Sequence, residues 1–149
     1  MRRAFEVKAA GRWQDDAAVD CVLLDADKRI KRRVLLTGES GITFLLDLPK
    51  PTALRDGDGL VLDDGSIIRV AGKPESLIEI TGANAEELAC FAWHLGNRHT
   101  DVQIAGGKLR IRRDHVLEAM LRGLGAQLTE IKAPFEPEPG AYGQERQPP

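Results

Sequence analysis

The chain contains three histidines, His94, His99 and His115, all in its second half. Imidazole binds nickel, zinc and copper through a neutral ring nitrogen, so these are the natural metal-ligand candidates. His99 comes just after Gly96, a helix-stop signal, and His115 sits beside Asp114, a helix-cap signal. His94 falls off the helical face defined by Leu88, Phe91 and Leu95, and is expected to face solvent or a partner. Cys90 lies four residues before His94, on the same side of that helix. A soft metal could bridge such a pair, but two ligands are too few to hold it tightly. A metal-dependent hydrolase built on His99, Asp101 and His115 would need further acidic or histidine ligands that the sequence does not supply nearby. The chain has no phosphate-binding loop and no GxSxG nucleophile turn.

The elements that must position these residues change character near Lys73-Pro74. Before that point the chain reads as strand and turn. Cys21-Val22-Leu23-Leu24, Val34-Leu35-Leu36 and Ile42-Thr43-Phe44-Leu45-Leu46 are short apolar runs. They are separated by Thr37-Gly38-Glu39-Ser40-Gly41, by Pro49-Lys50-Pro51 and by Arg55-Asp56-Gly57-Asp58-Gly59. Asp63-Asp64-Gly65-Ser66 marks a tight hairpin. Residues 1–73 are therefore expected to form a small all-β sandwich or barrel.

From Pro74 the order becomes strand, helix, two strands, helix, strand. Leu77-Ile78-Glu79-Ile80 is the first strand, and Asn84 with Glu87 forms a capping box for the first helix. Gly96 is expected to end that helix in a left-handed conformation. Val102-Gln103-Ile104 and Leu109-Arg110-Ile111 flank the turn Gly106-Gly107. The second helix follows Asp114, with Val116, Leu117, Met120, Leu121 and Leu124 as its core face, and stops at Gly125. Residues 127–132 form the last strand. This β-α-β-β-α-β order over residues 74–133 is that of a ferredoxin-like domain, so the whole chain is expected to be α+β. The Pro-rich residues 134–149 are expected to form a flexible tail.

The bulk properties are those of an ordinary globular protein. Of the 149 residues, 42% are hydrophobic and 30% charged, enough to form a core and keep it in solution. A formal net charge of −2 argues against a general polyanion binder. The run Lys28-Arg29-Ile30-Lys31-Arg32-Arg33 could meet an anionic partner, but it is flanked by Asp25 and Asp27 and reads better as the solvated face of a strand. No apolar run is long enough to span a bilayer, and no h-region follows Arg2-Arg3, so the expected location is cytoplasmic with no membrane association. Cys21 and Cys90 are then expected to be free thiols.

Several segments together resemble the UreE family of urease accessory proteins. They are Trp93-His94-Leu95-Gly96-Asn97-Arg98-His99, Val102-Gln103-Ile104 and Asp114-His115-Val116-Leu117-Glu118-Ala119-Met120-Leu121. Pro134-Phe135-Glu136-Pro137-Glu138, Gly140-Ala141-Tyr142 and Leu54-Arg55-Asp56-Gly57-Asp58 fit the same pattern. The resemblance implies a homodimeric nickel metallochaperone, not an enzyme. It implies a partner- or peptide-binding N-terminal β domain and a ferredoxin-like C-terminal domain that carries Ni(II) as cargo. Zn(II) or Cu(II) could substitute. The implied partners are apo-urease and its accessory proteins, including the urease GTPase. The family's main metal-binding histidine falls on His99, and a peripheral one on His115. Two departures imply fewer bound ions: no histidine follows His115, and Arg113 stands where some relatives carry another histidine. Two-fold symmetry makes the single His99 chemically sensible, because a residue near the axis meets its own copy and supplies two ligands. The competing expectation is a ferredoxin-like nucleic-acid- or protein-binding module. Such modules stack bases on aromatics of their central strands, and none is found in Val102-Gln103-Ile104 or Leu109-Arg110-Ile111.

Overall fold

The computed structural model describes residues 1–139. They divide into two compact units, Met1–Lys73 and Pro74–Glu138.

The first unit is a six-stranded mixed sheet. Its strands are β1 (Arg2–Lys8), β2 (Ala18–Leu24), β3 (Ile30–Thr37), β4 (Thr43–Ala53), β5 (Gly59–Leu62) and β6 (Ile67–Gly72), in the order β2-β6-β5-β1-β4-β3. β1 runs parallel to β4, and β2 parallel to β6. The sheet is therefore mixed, with parallel pairs that consecutive hairpins alone do not supply. Alternation explains how it buries a core: Phe44, Leu46 and Leu48 on β4, Leu60 and Leu62 on β5, and Ile68 and Val70 on β6 all point inward into one cluster. Each such side chain contributes about 1.5–3 kcal/mol on burial.

Two expectations are corrected here. Pro49 and Pro51 do not break the chain; β4 runs straight through them. The register gives the reason. Lys31 pairs with Thr52 and Arg33 with Asp47, so residues 48–51 sit at an irregularity opposite Arg32, where a missing N–H costs no ladder bond. The basic run also does not form one solvated face, because Arg29 is buried.

The second unit has a four-stranded antiparallel sheet and two helices. Its elements are β7 (Pro74–Thr81), α1 (Ala85–Asn97), β8 (Gln103–Ala105), β9 (Lys108–Arg112), α2 (His115–Gly123) and β10 (Gln127–Pro134), with sheet order β10-β7-β9-β8. Ile78, Ile80, Leu109 and Ile111 from the sheet pack with Phe91 and Leu95 of α1 and Leu121 of α2. The structure thus has α+β architecture: a mixed sheet, and a smaller antiparallel sheet with two helices. Of the expected core face of α2, Val116 is 74% exposed and Leu124 is also exposed, while Glu118 is buried.

The Pro-rich segment is anchored through Glu138. Phe135 is fully buried, with the Arg112 guanidinium 4.8 Å from its ring centroid. The Glu136 amide donates to Gln103 Oε1 (3.0 Å) and the Glu138 amide to the Val102 carbonyl (2.7 Å). An aromatic anchor and paired amides outweigh the chain entropy that a Pro-rich composition suggests. The expected flexible tail is therefore a docked strap over residues 134–138; residues 140–149 lie outside the described part.

Candidate metal centre

Helix α1 starts as its sequence dictates. Asn84 Oδ1 accepts from the Glu87 amide (2.9 Å), and Glu87 Oε1 accepts in return from the amide of Ala83 (2.9 Å). Phe91 and Leu95 fix its buried face. Its end differs from expectation. Gly96 lies inside the helix, which continues to Asn97. The Thr100 amide then donates to the Leu95 carbonyl (3.2 Å) and the His99 amide to the Gly96 carbonyl (3.1 Å). This pair of bonds is a Schellman ending, and His99 occupies the left-handed position that glycine usually takes. His99 has φ 55°, and is the one non-glycine residue with positive φ among the described residues. Left-handed geometry costs an L-residue about 1–2 kcal/mol. Residues kept in that state against such a cost cluster at functional sites.

The imidazole of His99 is exposed. Its flanks are tethered on both sides. Arg98 Nε lies against Met120 Sδ of α2, and Val102 and Ile104 are held by Glu138, whose Oε1 accepts from the Ile104 amide (3.2 Å).

His115 is the first residue of α2 and is exposed. Asp114 caps the helix by accepting from the Leu117 amide (2.9 Å), and buried Glu118 accepts from the Asp114 amide (2.8 Å). Glu118 also receives Arg113 Nε (3.1 Å) and Nη2 (3.3 Å). The Arg113 guanidinium, aided by the Asp114 amide and Arg122, holds the Glu118 carboxyl below the usual range despite burial. The same pairing, with Glu130, raises Arg113. Glu118 is not legible as a buried residue because its main partner, Arg113, precedes the helix, and the i,i+4 neighbour Arg122 alone reads as a surface pair. Arg113 is thus a structural cation.

His94 is half-buried and meets the Trp93 ring edge-on, with centroids 5.0 Å apart. Cys90 is exposed. Among the described residues, no three His, Cys, Asp or Glu side chains gather into a metal-holding group. His99, Asp101 and His115 therefore do not form a hydrolase-type site within one chain, and Asp101 instead faces Arg112 at 3.5 Å.

The sheet face that a base-stacking module would use is also accounted for. The central strands β7 and β9 carry no aromatic residue. Lys108 and Arg110 pair with Glu79, and Arg112 with Glu75. Burial alone would raise Glu79, but Arg110 and Lys108 outweigh it and hold its carboxyl low.

Two family models match in chain order. The N-terminal domain of the UreE urease accessory protein covers residues 4–72, and its C-terminal domain covers residues 75–148. The chain belongs to the UreE family. A urease accessory protein UreE of Bradyrhizobium sp. (strain ORS 278) is 54% identical over 97% of this chain and 68% of its own length. The UreE of Rhodopseudomonas palustris (strain BisB18) is 53% identical over 99% of this chain and 70% of its own. The Rhodobacter capsulatus UreE is 47% identical over 98% and 90%. UreE proteins are accessory proteins rather than enzymes, and the matches span both units, so membership does not rest on the histidine segment alone. Among the described residues, no helix is long and apolar enough to cross a membrane.

Proposed function

We propose that this UreE protein is a cytoplasmic nickel carrier that delivers Ni(II) to apo-urease, with the ion held between His99 residues of two subunits and His115 as a peripheral ligand. The observation that carries this reading is His99 itself: an exposed imidazole kept in a left-handed conformation at a helix end where glycine would cost less. One imidazole per chain binds a metal weakly, and a two-fold axis beside it doubles the ligand count. Exposed apolar side chains in the same unit supply surface for such an axis. Trp93 is 63% exposed, and Val116 and Ile104 are exposed as well. The strand order β10-β7-β9-β8, with both helices as crossovers, supports a ferredoxin-like reading of this unit. A shell left open to water or to a partner's ligand suits cargo that must be released to apo-urease, with the urease GTPase and other accessory proteins assisting.

Calorimetric titration with nickel tests the assignment. His99→Ala should abolish stoichiometric binding while size-exclusion chromatography still shows a dimer, and His115→Ala should weaken binding without abolishing it. Nickel uptake by His99→Ala equal to wild type would overturn it.

A further inference from the structure

The antiparallel sheet of the second unit ends in β8 on one side and β10 on the other, and the two edges are finished differently. Register shows where their backbone groups point. Pro134 lies opposite Pro74, and two prolines have no N–H to exchange, so theirs is a non-hydrogen-bonded pair. Along this unbroken register, Gln127, Thr129, Ile131 and Ala133 then bond to β7. The N–H and C=O groups of Leu128, Glu130 and Lys132 point away from the sheet. Carried across β7 and β9, the same alternation aims the Val102 carbonyl and the Ile104 amide off the far edge at β8. Glu138 takes both, its amide donating to the Val102 carbonyl (2.7 Å) and its Oε1 accepting from the Ile104 amide (3.2 Å).

Among the described residues, no segment pairs with the outer edge of β10. Such an edge is a template for another strand, and its charges decide which one fits. Glu130 and Lys132 share one face of β10, and both are exposed. If a second β10 lies antiparallel with Glu130 opposite Glu130, or Lys132 opposite Lys132, like charges meet on the two-fold axis. The register centred on Ile131 avoids both. It sets Glu130 opposite the partner's Lys132 and Lys132 opposite the partner's Glu130. Both are hydrogen-bonded positions, so this register satisfies the outward backbone groups and the charges together. Ile131 then meets its own copy on the other face. Arg113 also holds Glu130, but buried Glu118 balances it, so it adds no net charge to the edge.

We propose that β10 pairs antiparallel with the β10 of a second copy of this chain, about a two-fold axis at Ile131, so that two sheets become one. This contact is separate from a meeting of His99 residues. The His99 loop leads into β8, which lies three strand spacings, or about 14 Å, from β10. An axis at β10 therefore keeps the two His99 loops apart. A chain that makes both contacts assembles beyond a dimer. The pairing does not rest on nickel carriage.

The test uses the full-length protein with a metal chelator present. Amide hydrogen exchange should show Glu130 and Lys132 protected at high protein concentration and exposed on dilution. In Lys132→Glu these two amides should exchange about tenfold faster or more, while Thr129 and Ile131, bonded to β7, stay protected. In sedimentation equilibrium, Lys132→Glu and Glu130→Lys should each self-associate about tenfold more weakly or less still. An equal mixture of the two should regain wild-type association, because the acidic edge of one variant then faces the basic edge of the other. Glu130→Lys also loses Arg113; if it does not fold, exchange in wild type and Lys132→Glu still decides. Lys132→Glu should keep the wild-type nickel titration, so failure here is distinguishable from failure of the nickel assignment. Freely exchanging Glu130 and Lys132 amides in wild type at every concentration, wild-type association by Lys132→Glu, or a mixture of folded variants no more associated than its components would overturn the proposal.

Discussion

The loop after β3 and the loop after α1 each hold a polar side chain in a constrained place, by opposite means. In the first, Asp20 is buried and collects three amides: Cys21 at 2.7 Å, Ser40 at 2.8 Å and Ile42 at 3.1 Å. The backbone is shaped around it, for a Cβ on Gly38 would lie 2.2 Å from Asp20 Oδ2. In the second, His99 is exposed, and its flanks are held by backbone bonds, by Arg98 against Met120 and by the strap through Glu138. The Asp20 side chain is consumed by the fold, whereas the His99 imidazole is left available and the backbone carries the strain. A side chain whose polar atoms are all spent stabilises, and one held in place with its atoms unspent can serve a ligand.

The largest expected effect tests whether the strap supports the second loop. Phe135→Ala removes a fully buried ring and should cost about 3 kcal/mol, read from chemical denaturation of the second unit. If the strap also positions His99, nickel affinity should fall while the first unit stays folded. Unchanged stability would show that the ring is not an anchor.

The next effect probes the first loop. Gly38→Ala forces a methyl group onto the Asp20 carboxylate and should cost about 2–3 kcal/mol in the first unit, with nickel binding unaffected. Loss of nickel binding with Gly38→Ala would break the separation between the loops.

A smaller effect comes from acid. Burial raises the Asp20 carboxyl, but the amides of Ser40, Cys21 and Ile42, with the Ser40 hydroxyl, outweigh it and leave the pKa below its ordinary value. The folded state therefore binds that proton less readily than the unfolded chain. The resulting stability is fully present above the unfolded value near 4 and is lost as pH falls through the lower folded value. Asp20→Asn should flatten the acid limb of a pH-stability curve for the first unit, at a cost of about 1–2 kcal/mol at neutral pH. An unchanged acid limb would show that the carboxylate contributes nothing.

The smallest effect has the opposite sign. His99→Gly relieves the left-handed penalty of about 1–2 kcal/mol but adds unfolded-chain entropy of about 0.5–1 kcal/mol, for a net gain of about 0.5 kcal/mol. The variant should be slightly more stable than wild type and unable to bind nickel. A clear loss of stability would mean that the imidazole has a structural role.

These contrasts also show what could be read from sequence. Asn84 and Asp114 act locally through side-chain caps, and Gly106-Gly107 and Asp63-Asp64-Gly65-Ser66 turn where expected, because each signal is contained in a few residues. Features that depend on distant partners were hidden. Asp20 reads as one polar residue of a strand until the residue 38–42 loop closes on it. Glu118 looks like a solvent residue until Arg113 reaches it. β1 and the strap are written in ordinary residues whose partners lie about 35 or more positions away, or across the sheet. At the candidate site, the histidine segment pointed to His99, but helical reading placed the left-handed turn at Gly96. Only the hydrogen bonds show that His99 itself takes it.

The placement of β1 has a consequence for how the protein is made. β1 sits inside the sheet, bonded to β4 on one side and β5 on the other, and β2 finds its partner only in β6. During synthesis at about 5–20 residues per second, β1 emerges and must wait several seconds for the strands on either side of it. In the second unit β7 likewise sits inside its sheet, but its wait is shorter: Leu77 pairs with Arg112 of β9, whereas Ala18 of β2 pairs with the more distant Ile67 of β6. The N-terminal half, translated first, is therefore the half whose strands spend longest without partners, and the interval in which nascent chains are most exposed to aggregation falls before residue 72 has left the ribosome.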